Sequence, residues 1–278
     1  MWFYENLYSD LKVGFKSTCI YKKKTSFQDM QLHSTGRYGK MLILDGVVQT
    51  TEKDEFIYHE MMTHPILLLH PEPKNVLIIG GGDGGILREV LKYKIKKVVL
   101  VEIDKEVVNF SKKYLKRICG KAFDDRRLNL VINDGAKFIN STKEKFDVII
   151  IDSSDPIGPA KVLFSKKFYQ QIYKILSDNG IMIRQTGSTM LQPYILRNNY
   201  KSVKQIFPFV SVQIAAIPTY IGGFFSFIIA SKELNPENID IKLIEKKYNN
   251  AGFKTNYYNP RIHLGSLCLP IYIGRLLK

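Results

Sequence analysis

The chain has 278 residues, with 41 Lys or Arg against 26 Asp or Glu, for a formal net charge of +15. A hydrophobic content of 45% supports a sizeable core and excludes a disordered or low-complexity chain. Cys19, Cys119 and Cys268 have no paired spacing, which excludes a disulfide framework or a zinc ribbon and favours a reducing compartment.

Up to about His64 the sequence reads as strands and turns. Phe27 to Leu32 approximates alternation, Gly36 to Gly39 makes a turn, and Met41 to Leu44 is an apolar strand. Asp45-Gly46 is a two-residue hairpin signal leading into Val47 to Thr51. Glu55 to Leu69 has the pattern of a helix, with Pro65 as a kink. After Pro71 and Pro73 strands alternate with helices. Strands are expected at Asn75 to Ile79, Lys97 to Glu102, Leu128 to Ile132, Phe146 to Asp152 and Gly180 to Thr186. Helices fit at Gly85 to Tyr93, Lys105 to Tyr114, Ala136 to Asn140 and Ser165 to Leu176. Buried β-branched strands alternating with helices imply a parallel sheet with right-handed crossovers. A further helix, Pro193 to Phe207, precedes two strands, Ser211 to Ile217 and Phe224 to Ser231, expected to close the sheet edge as an antiparallel hairpin.

The charge invites a nucleic-acid reading, because +15 attracts phosphate. Its distribution opposes one. The lysines lie in short scattered clusters, such as Lys22 to Lys24 and Lys166-Lys167, and none alternates with aromatics as in a single-strand platform. No nucleic-acid partner is expected. No apolar run approaches the ~18 residues that span a bilayer, and Met1-Trp2-Phe3-Tyr4-Glu5 lacks a signal-peptide layout. A cytoplasmic protein without a membrane partner is the expectation.

Gly80-Gly81-Gly82-Asp83-Gly84-Gly85 follows a predicted strand and opens a helix, so Gly80, Gly82 and Gly85 satisfy the nucleotide-binding glycine pattern in its required context. Glu102 ends the second strand, where an acid accepts both hydroxyls of an adenosine ribose. Asp134 and Gly135 follow the third strand, placed to meet an adenine edge. Together these positions indicate an adenosine ligand. Asp83 bears on its kind. A pyrophosphate against the loop would meet a carboxylate, whereas an aminoalkyl sulfonium is a cation, so the sulfonium is favoured. Asp152-Ser153-Ser154-Asp155-Pro156-Ile157-Gly158-Pro159-Ala160 then sets two acids three residues apart at the carboxyl edge of the sheet. His59 and His64 are five residues apart and miss a common helix face, so that stretch is no zinc motif and no metal is expected.

Gly-Gly-Gly-Asp-Gly-Gly, Val101-Glu102-Ile103-Asp104 and the double-acid stretch resemble the spermidine synthase family, the polyamine aminopropyltransferases. So do Leu44-Asp45-Gly46-Val47-Val48-Gln49, Tyr58-His59-Glu60-Met61, Ile217-Pro218-Thr219-Tyr220 and Tyr257-Tyr258-Asn259-Pro260. The resemblance runs in order along nearly the whole chain. It implies an α/β fold, a Rossmann-like sheet of the S-adenosylmethionine-methyltransferase type with a small N-terminal β domain. We divide the chain as residues 1–64 and 65–278 and expect a homodimer or homotetramer. It implies transfer of an aminopropyl group from decarboxylated S-adenosylmethionine, a co-substrate rather than a cofactor, to an amine, usually putrescine, with release of methylthioadenosine.

The residues fit that chemistry. An alkyl ammonium has a pKa near 10.4, so reaching the neutral nucleophile at pH 7 costs roughly 4 to 5 kcal/mol, and a positioned carboxylate takes the proton as attack proceeds. By resemblance Asp152 is that base and Asp155 holds an ammonium. Gln28, Gln49, Glu102, Asp134, Gly135 and Pro159 resemble the nucleoside and thioether contacts. His59 and Asp83 resemble binders of the aminopropyl end, and Tyr58, Gln185 and Tyr220 residues lining the amine channel. The same acids repel the carboxylate of intact S-adenosylmethionine, against a methyltransferase on this fold; a non-catalytic polyamine binder would need no base at Asp152. Where many relatives carry Glu the chain has Gly187, and Ile221-Gly222-Gly223 and Leu264-Gly265-Ser266 also depart from the family pattern. These positions are expected to border the far end of the amine channel, which keeps agmatine, cadaverine and spermidine open beside putrescine.

Overall fold

In the computed structural model, which describes residues 1–153 and 158–278, the N-terminal residues form a five-stranded antiparallel sheet. Its strands are β1 (Trp2–Tyr4), β2 (Gly14–Lys24), β3 (Asp29–Thr35), β4 (Gly39–Leu44) and β5 (Val47–Thr51), ordered as in sequence. Asp45-Gly46 turns β4 into β5, both residues with positive φ, as such a hairpin requires. The second half of β2 ends in three consecutive lysines, Lys22 to Lys24, and is exposed or half-buried throughout, which is why only β3 to β5 carry a strand pattern in the sequence.

Helix α1 (Glu55–Leu69) follows, with Pro65 in its interior and buried residues all round, from Ile57 to Leu68. Its amphipathic period is weak because it is covered on every side. The division expected at 64/65 falls inside this helix, whereas the small sheet ends at Thr51. Glu60, buried on α1, accepts the backbone N–H groups of Asn256, Tyr257 and Tyr258 at 2.7–2.8 Å, tying the C-terminal segment to the helix. Glu60→Gln puts an amide N–H against one of those donors. We expect a loss of about 1–3 kcal/mol, read as a melting temperature lower by ~2–4 °C per kcal/mol.

The larger sheet has seven strands: β6 (Asn75–Gly80), β7 (Lys97–Glu102), β8 (Leu128–Ile132), β9 (Phe146–Asp152), β10 (Leu176–Ser188), β11 (Phe209–Ala216) and β12 (Phe224–Ser231). Their order is β11-β12-β10-β9-β6-β7-β8, with β6 to β10 parallel and β12 antiparallel to both β10 and β11. This is the expected Rossmann-like sheet of the methyltransferase type, closed by the expected hairpin. The runs Val76–Ile79, Val98–Val101 and Val148–Ile151 are essentially inaccessible to solvent, as strands covered on both faces must be. Helices α2 (Gly85–Val90), α3 (Lys105–Tyr114), α4 (Lys116–Cys119), α5 (Gly135–Ser141), α6 (Lys166–Ile175) and α7 (Pro193–Lys204) connect the strands. Asp104 caps α3, Asp134 caps α5 and Ser165 caps α6 through side-chain oxygens. Beyond the last strand lie α8 (Ile241–Ala251), α9 (Pro260–Ser266) and α10 (Ile271–Leu276), to which the sequence pattern assigned nothing. Among the described residues no helix is long and apolar enough to cross a membrane.

Candidate active site

Parallel strands end together, so β6, β7 and β9 deliver the glycine loop, Glu102 and Asp152 to one edge of the sheet, the edge where ligands of such folds bind. The small sheet and α1 face that edge. Between them lies a cavity of about 620 Å³, within the range of small-molecule sites. Its wall includes Gln28 from the β2–β3 turn, Gln49 of β5, and Tyr58 and His59 of α1. From the sheet edge it takes Gly80, Gly82, Asp83, Glu102, Asp134, Gly135, Asp152 and Gln185, and from the hairpin turn Tyr220. The structure thus gathers the expected positions on one cavity, apart from two. Asp155 lies outside the described residues, and of Pro159 only the backbone, in the helical turn Gly158–Phe164, is described.

Gly80 pairs with Asp152 across β6 and β9, at φ +83°. A Cβ there would stand 1.9 Å from the Asp152 carbonyl oxygen, so only glycine lets the loop leave the sheet beside that residue. Asp152 accepts a hydrogen bond from the Tyr58 hydroxyl at 2.5 Å. Burial and the neighbouring Asp83 charge push its carboxyl up to about 6, against the lowering effect of Tyr58 and His59. Tyr58 is held by an aromatic wall, its ring centroid 5.8 Å from Tyr220 and 5.9 Å from Phe225. The Tyr220 hydroxyl donates to the Gln49 carbonyl. The turn that carries Tyr220 is anchored by Asp54, which accepts from the Thr219 N–H at 2.8 Å and its hydroxyl at 2.7 Å.

Asp83 accepts the Gly85 N–H at 2.8 Å on one oxygen, and His59 Nε2 lies 3.2 Å from the other. The remaining ring nitrogen of His59, Nδ1, stands 2.5 Å from Glu55, which Arg88 grips by two contacts of 2.9 and 3.0 Å. Burial alone would lower the imidazole, yet Asp83 and Glu55 together raise it to about 10. Burial would raise Asp83, and the His59 charge with the Gly85 N–H brings it below its ordinary value. Glu102 accepts the Asp104 N–H at 2.9 Å; burial foremost, helped by the Asp104 charge, lifts its carboxyl to about 7.

Other positions are held by fixed neighbours. Gln185 donates to the Ser153 carbonyl and accepts the Gly187 N–H, both at 2.8 Å, so its carboxamide is fixed at both ends. Gln28 donates to Asp104 at 3.0 Å and Gln49 to the Val47 carbonyl at 3.2 Å. Of the departures from the family pattern, Ile221 lies on the cavity wall with Ser188 and Gln192, whereas Gly187, Gly222, Gly223 and the α9 residues Leu264, Gly265 and Ser266 do not.

Several residues of this region carry no motif. Arg184, fully buried, donates to the Leu163 carbonyl at 2.7 Å and the Tyr169 hydroxyl at 2.6 Å and stacks 3.7 Å over Phe164, bracing the segment that follows the double acid. An arginine directly after the apolar strand run Ile181-Met182-Ile183 is a signal for such a brace, because burying the charge without partners is prohibitive. Glu55 and Arg88 leave only a weaker trace, as ordinary helix charges.

The comparisons with known proteins agree with this geometry. Residues 55–242 match the spermine/spermidine synthase domain and residues 1–52 the spermidine synthase tetramerisation domain. The chain is 44% identical over 280 residues to the polyamine aminopropyltransferase of Caldicellulosiruptor saccharolyticus, covering 100% of this chain and 98% of that protein. It is 46% identical over 275 residues to that of Erwinia tasmaniensis, covering 98% and 96%. A crystal structure of spermidine synthase in complex with the transition-state analogue AdoDATO superposes with a TM-score of 0.94 at 37% identity, over 100% of this chain and 94% of that one. The spermidine synthase of Thermotoga maritima gives 0.91 at 36%, with the same coverage. Both parts of the chain match in order and nearly end to end, and the chain belongs to the spermine/spermidine synthase family, the polyamine aminopropyltransferases.

Proposed function

We propose that this aminopropyltransferase uses decarboxylated S-adenosylmethionine as donor and putrescine as first acceptor, giving spermidine and methylthioadenosine, with Asp152 as general base. The observation that carries the reading is the placement of Asp152: at the end of β9, beside Asp83, under the Tyr58 hydroxyl, with a carboxyl raised to about 6. A carboxylate of that basicity is ionised at neutral pH and takes a proton more readily than an ordinary aspartate. The acceptor nitrogen attacks the methylene carbon joined to the sulfonium. The carbon–sulfur bond breaks, its electron pair neutralises sulfur to a thioether, and the secondary ammonium gives its proton to Asp152. Both substrates are cations, and Asp83 and Asp152 supply the negative charge that gathers them.

In this reading Asp83 receives the donor's aminopropyl ammonium, Glu102 the ribose hydroxyls, and Asp134 with Gly135 the adenine edge. Gln28, Gln49 and Pro159 border the nucleoside and thioether. Tyr58, Gln185 and Tyr220 line the path of the acceptor, and the role carried over to Asp155 is to hold an ammonium of donor or acceptor. The match of residues 1–52 to a tetramerisation domain supports a homo-oligomer. A panel of putrescine, agmatine, cadaverine and spermidine, followed by methylthioadenosine release, tests the acceptor. Methylation from intact S-adenosylmethionine, without aminopropyl product, would overturn the reading.

Glu102 makes a second expectation. Ribose hydroxyls donate to the ionised carboxylate, and Glu102 ionises only as pH rises through about 7. Methylthioadenosine affinity therefore increases over that interval and is lost on the acid side. Glu102→Gln flattens the profile and weakens binding by about 10- to 100-fold, measurable by calorimetry between pH 5.5 and 8.5.

A further inference from the structure

Glu55 and Arg88 form no part of the cavity wall, yet they end a continuous chain of contacts that begins on it. Asp83 faces the cavity and meets His59 Nε2; His59 Nδ1 meets Glu55; both Glu55 oxygens meet the Arg88 guanidinium, which also donates to the Ile118 carbonyl at 2.5 Å. The side chains close in from 13% exposed at Asp83 to 2% at His59 and 8% at Glu55. The ring sits where a side chain on residue 85 would be, since a Cβ on Gly85 would come within 2.2 Å of it. It is therefore wedged against the first turn of α2, and the same Gly85 supplies the N–H that holds the second Asp83 oxygen.

A histidine between two carboxylates has one protonation state that satisfies both: a proton on each nitrogen. If Nδ1 alone carries the proton, a bare Nε2 faces the Asp83 carboxylate and lone pairs oppose each other. We propose that Glu55 and Arg88 are positioning residues for the transfer reaction: Arg88 fixes Glu55, Glu55 keeps His59 protonated on both nitrogens, and His59 thereby holds Asp83 ionised and aimed at the donor's ammonium. The proposal rests on the role given to Asp83 above. His59 then acts as a bound cation, and its own ring is not a seat for the incoming ammonium.

The charges around His59 are consistent with this. Glu55 and Tyr58 approach from α1, Asp83 from the glycine loop, Arg88 from α2 and Asp152 from β9, and the Cys119 thiol of α4, raised by burial, lies near Asp83. Two contacting carboxylates outweigh burial at the ring, which stays charged up to about pH 10. Without Glu55 one of them is gone, and the ring moves toward its ordinary range near 6.5.

The test is a cycle of Glu55→Gln and His59→Gln, read by two measurements. Ring-nitrogen NMR of the ligand-free enzyme, with His59 assigned by its loss in His59→Gln, is expected to show both nitrogens protonated at pH 8.5 in the wild type. One nitrogen is expected protonated in Glu55→Gln. The donor KM of Glu55→Gln, divided by that of the wild type, is expected to rise about tenfold between pH 6.5 and 8.5. The ratio cancels the contribution of Glu102. In the His59→Gln background the same substitution adds no pH dependence, because the glutamine amide donates at every pH. Methylthioadenosine, which lacks the ammonium, keeps a flat affinity ratio throughout. A singly protonated ring in the wild type, or a flat donor ratio, overturns the proposal; the wild-type spectrum decides even if Glu55→Gln fails to fold. Asp83→Asn with an unchanged donor KM instead overturns the role given to Asp83, and the spectra still report the relay on their own.

Discussion

Asp152→Asn is expected to lower turnover by about 10²- to 10⁴-fold while methylthioadenosine still binds. The exchange keeps the shape of the side chain, and the amide oxygen still accepts from the Tyr58 hydroxyl, so the aromatic wall of Tyr58, Tyr220 and Phe225 stays in place. What is lost is the proton acceptor and one of the negative charges that gather the cations. The pH profile separates these from simple damage. The folded Asp152 carboxyl is raised to about 6, so it is protonated and idle below that pH and ionised above it. The wild-type kcat/KM for the amine should therefore climb through about pH 6 and continue upward as more acceptor becomes neutral. In Asp152→Asn the lower limb should vanish and only the slope from the amine should remain. Steady-state methylthioadenosine release between pH 5 and 9, with calorimetry for nucleoside binding, checks both. Turnover within tenfold of the wild type would remove Asp152 from the role of base.

How much of this was legible in the sequence depends on how far apart the interacting residues lie along the chain. The bounds of β7, β8, β9, β12, α1 and α3 coincide with those read from pattern, because β-branched runs end abruptly at polar residues and Asp104 marks the start of α3 with a local cap. The strand-end positions Gly80, Asp83, Glu102, Asp134 and Asp152 were legible for a related reason. In a parallel sheet each strand ends at the same edge, so a row of acids after consecutive strands becomes a cluster without any further information. The braces were not legible. Glu60 meets residues 196 to 198 positions away, and Asp54 meets Thr219 at a separation of 165. No period or spacing encodes those pairs.

The C-terminal helices are a different case. Asp240 and Asn259-Pro260 are ordinary helix starts, but the helices they open bury few residues, Ile244 on α8 and Pro260, His263 and Ser266 on α9, so little apolar period marks them. The three-residue strand β1 is legible only through its partner β2. The overall charge of +15 was the poorest guide: it suggested anionic partners, whereas the cavity is lined by Asp83, Glu102, Asp134 and Asp152. A bulk charge is screened beyond about 10 Å at 0.1 M salt, and carboxylates on the wall act at contact distance.

Gly80→Ala is expected to damage both stability and turnover. Gly80 is the last residue of β6, paired in register with Asp152 at the last residue of β9, and its φ of +83° lies in the region that side chains resist. Adopting that conformation with a Cβ costs about 1–2 kcal/mol. The methyl group also meets backbone rather than a movable side chain: 1.9 Å to the Asp152 carbonyl oxygen and 2.8 Å to its carbon. Relief requires the ends of β6 and β9 to part, at a further cost of about 1–3 kcal/mol. The melting temperature should fall by ~2–4 °C per kcal/mol. The same displacement carries Asp152 away from Tyr58 and tilts the loop that aims Asp83, so a shift of about 1 Å should lower kcat/KM by ~10²-fold even in the fraction that remains folded. Thermal melting and methylthioadenosine release on one preparation separate the two effects. A variant that melts like the wild type and turns over within a fewfold of it would mean that the junction of β6 and β9 does not set the position of Asp152.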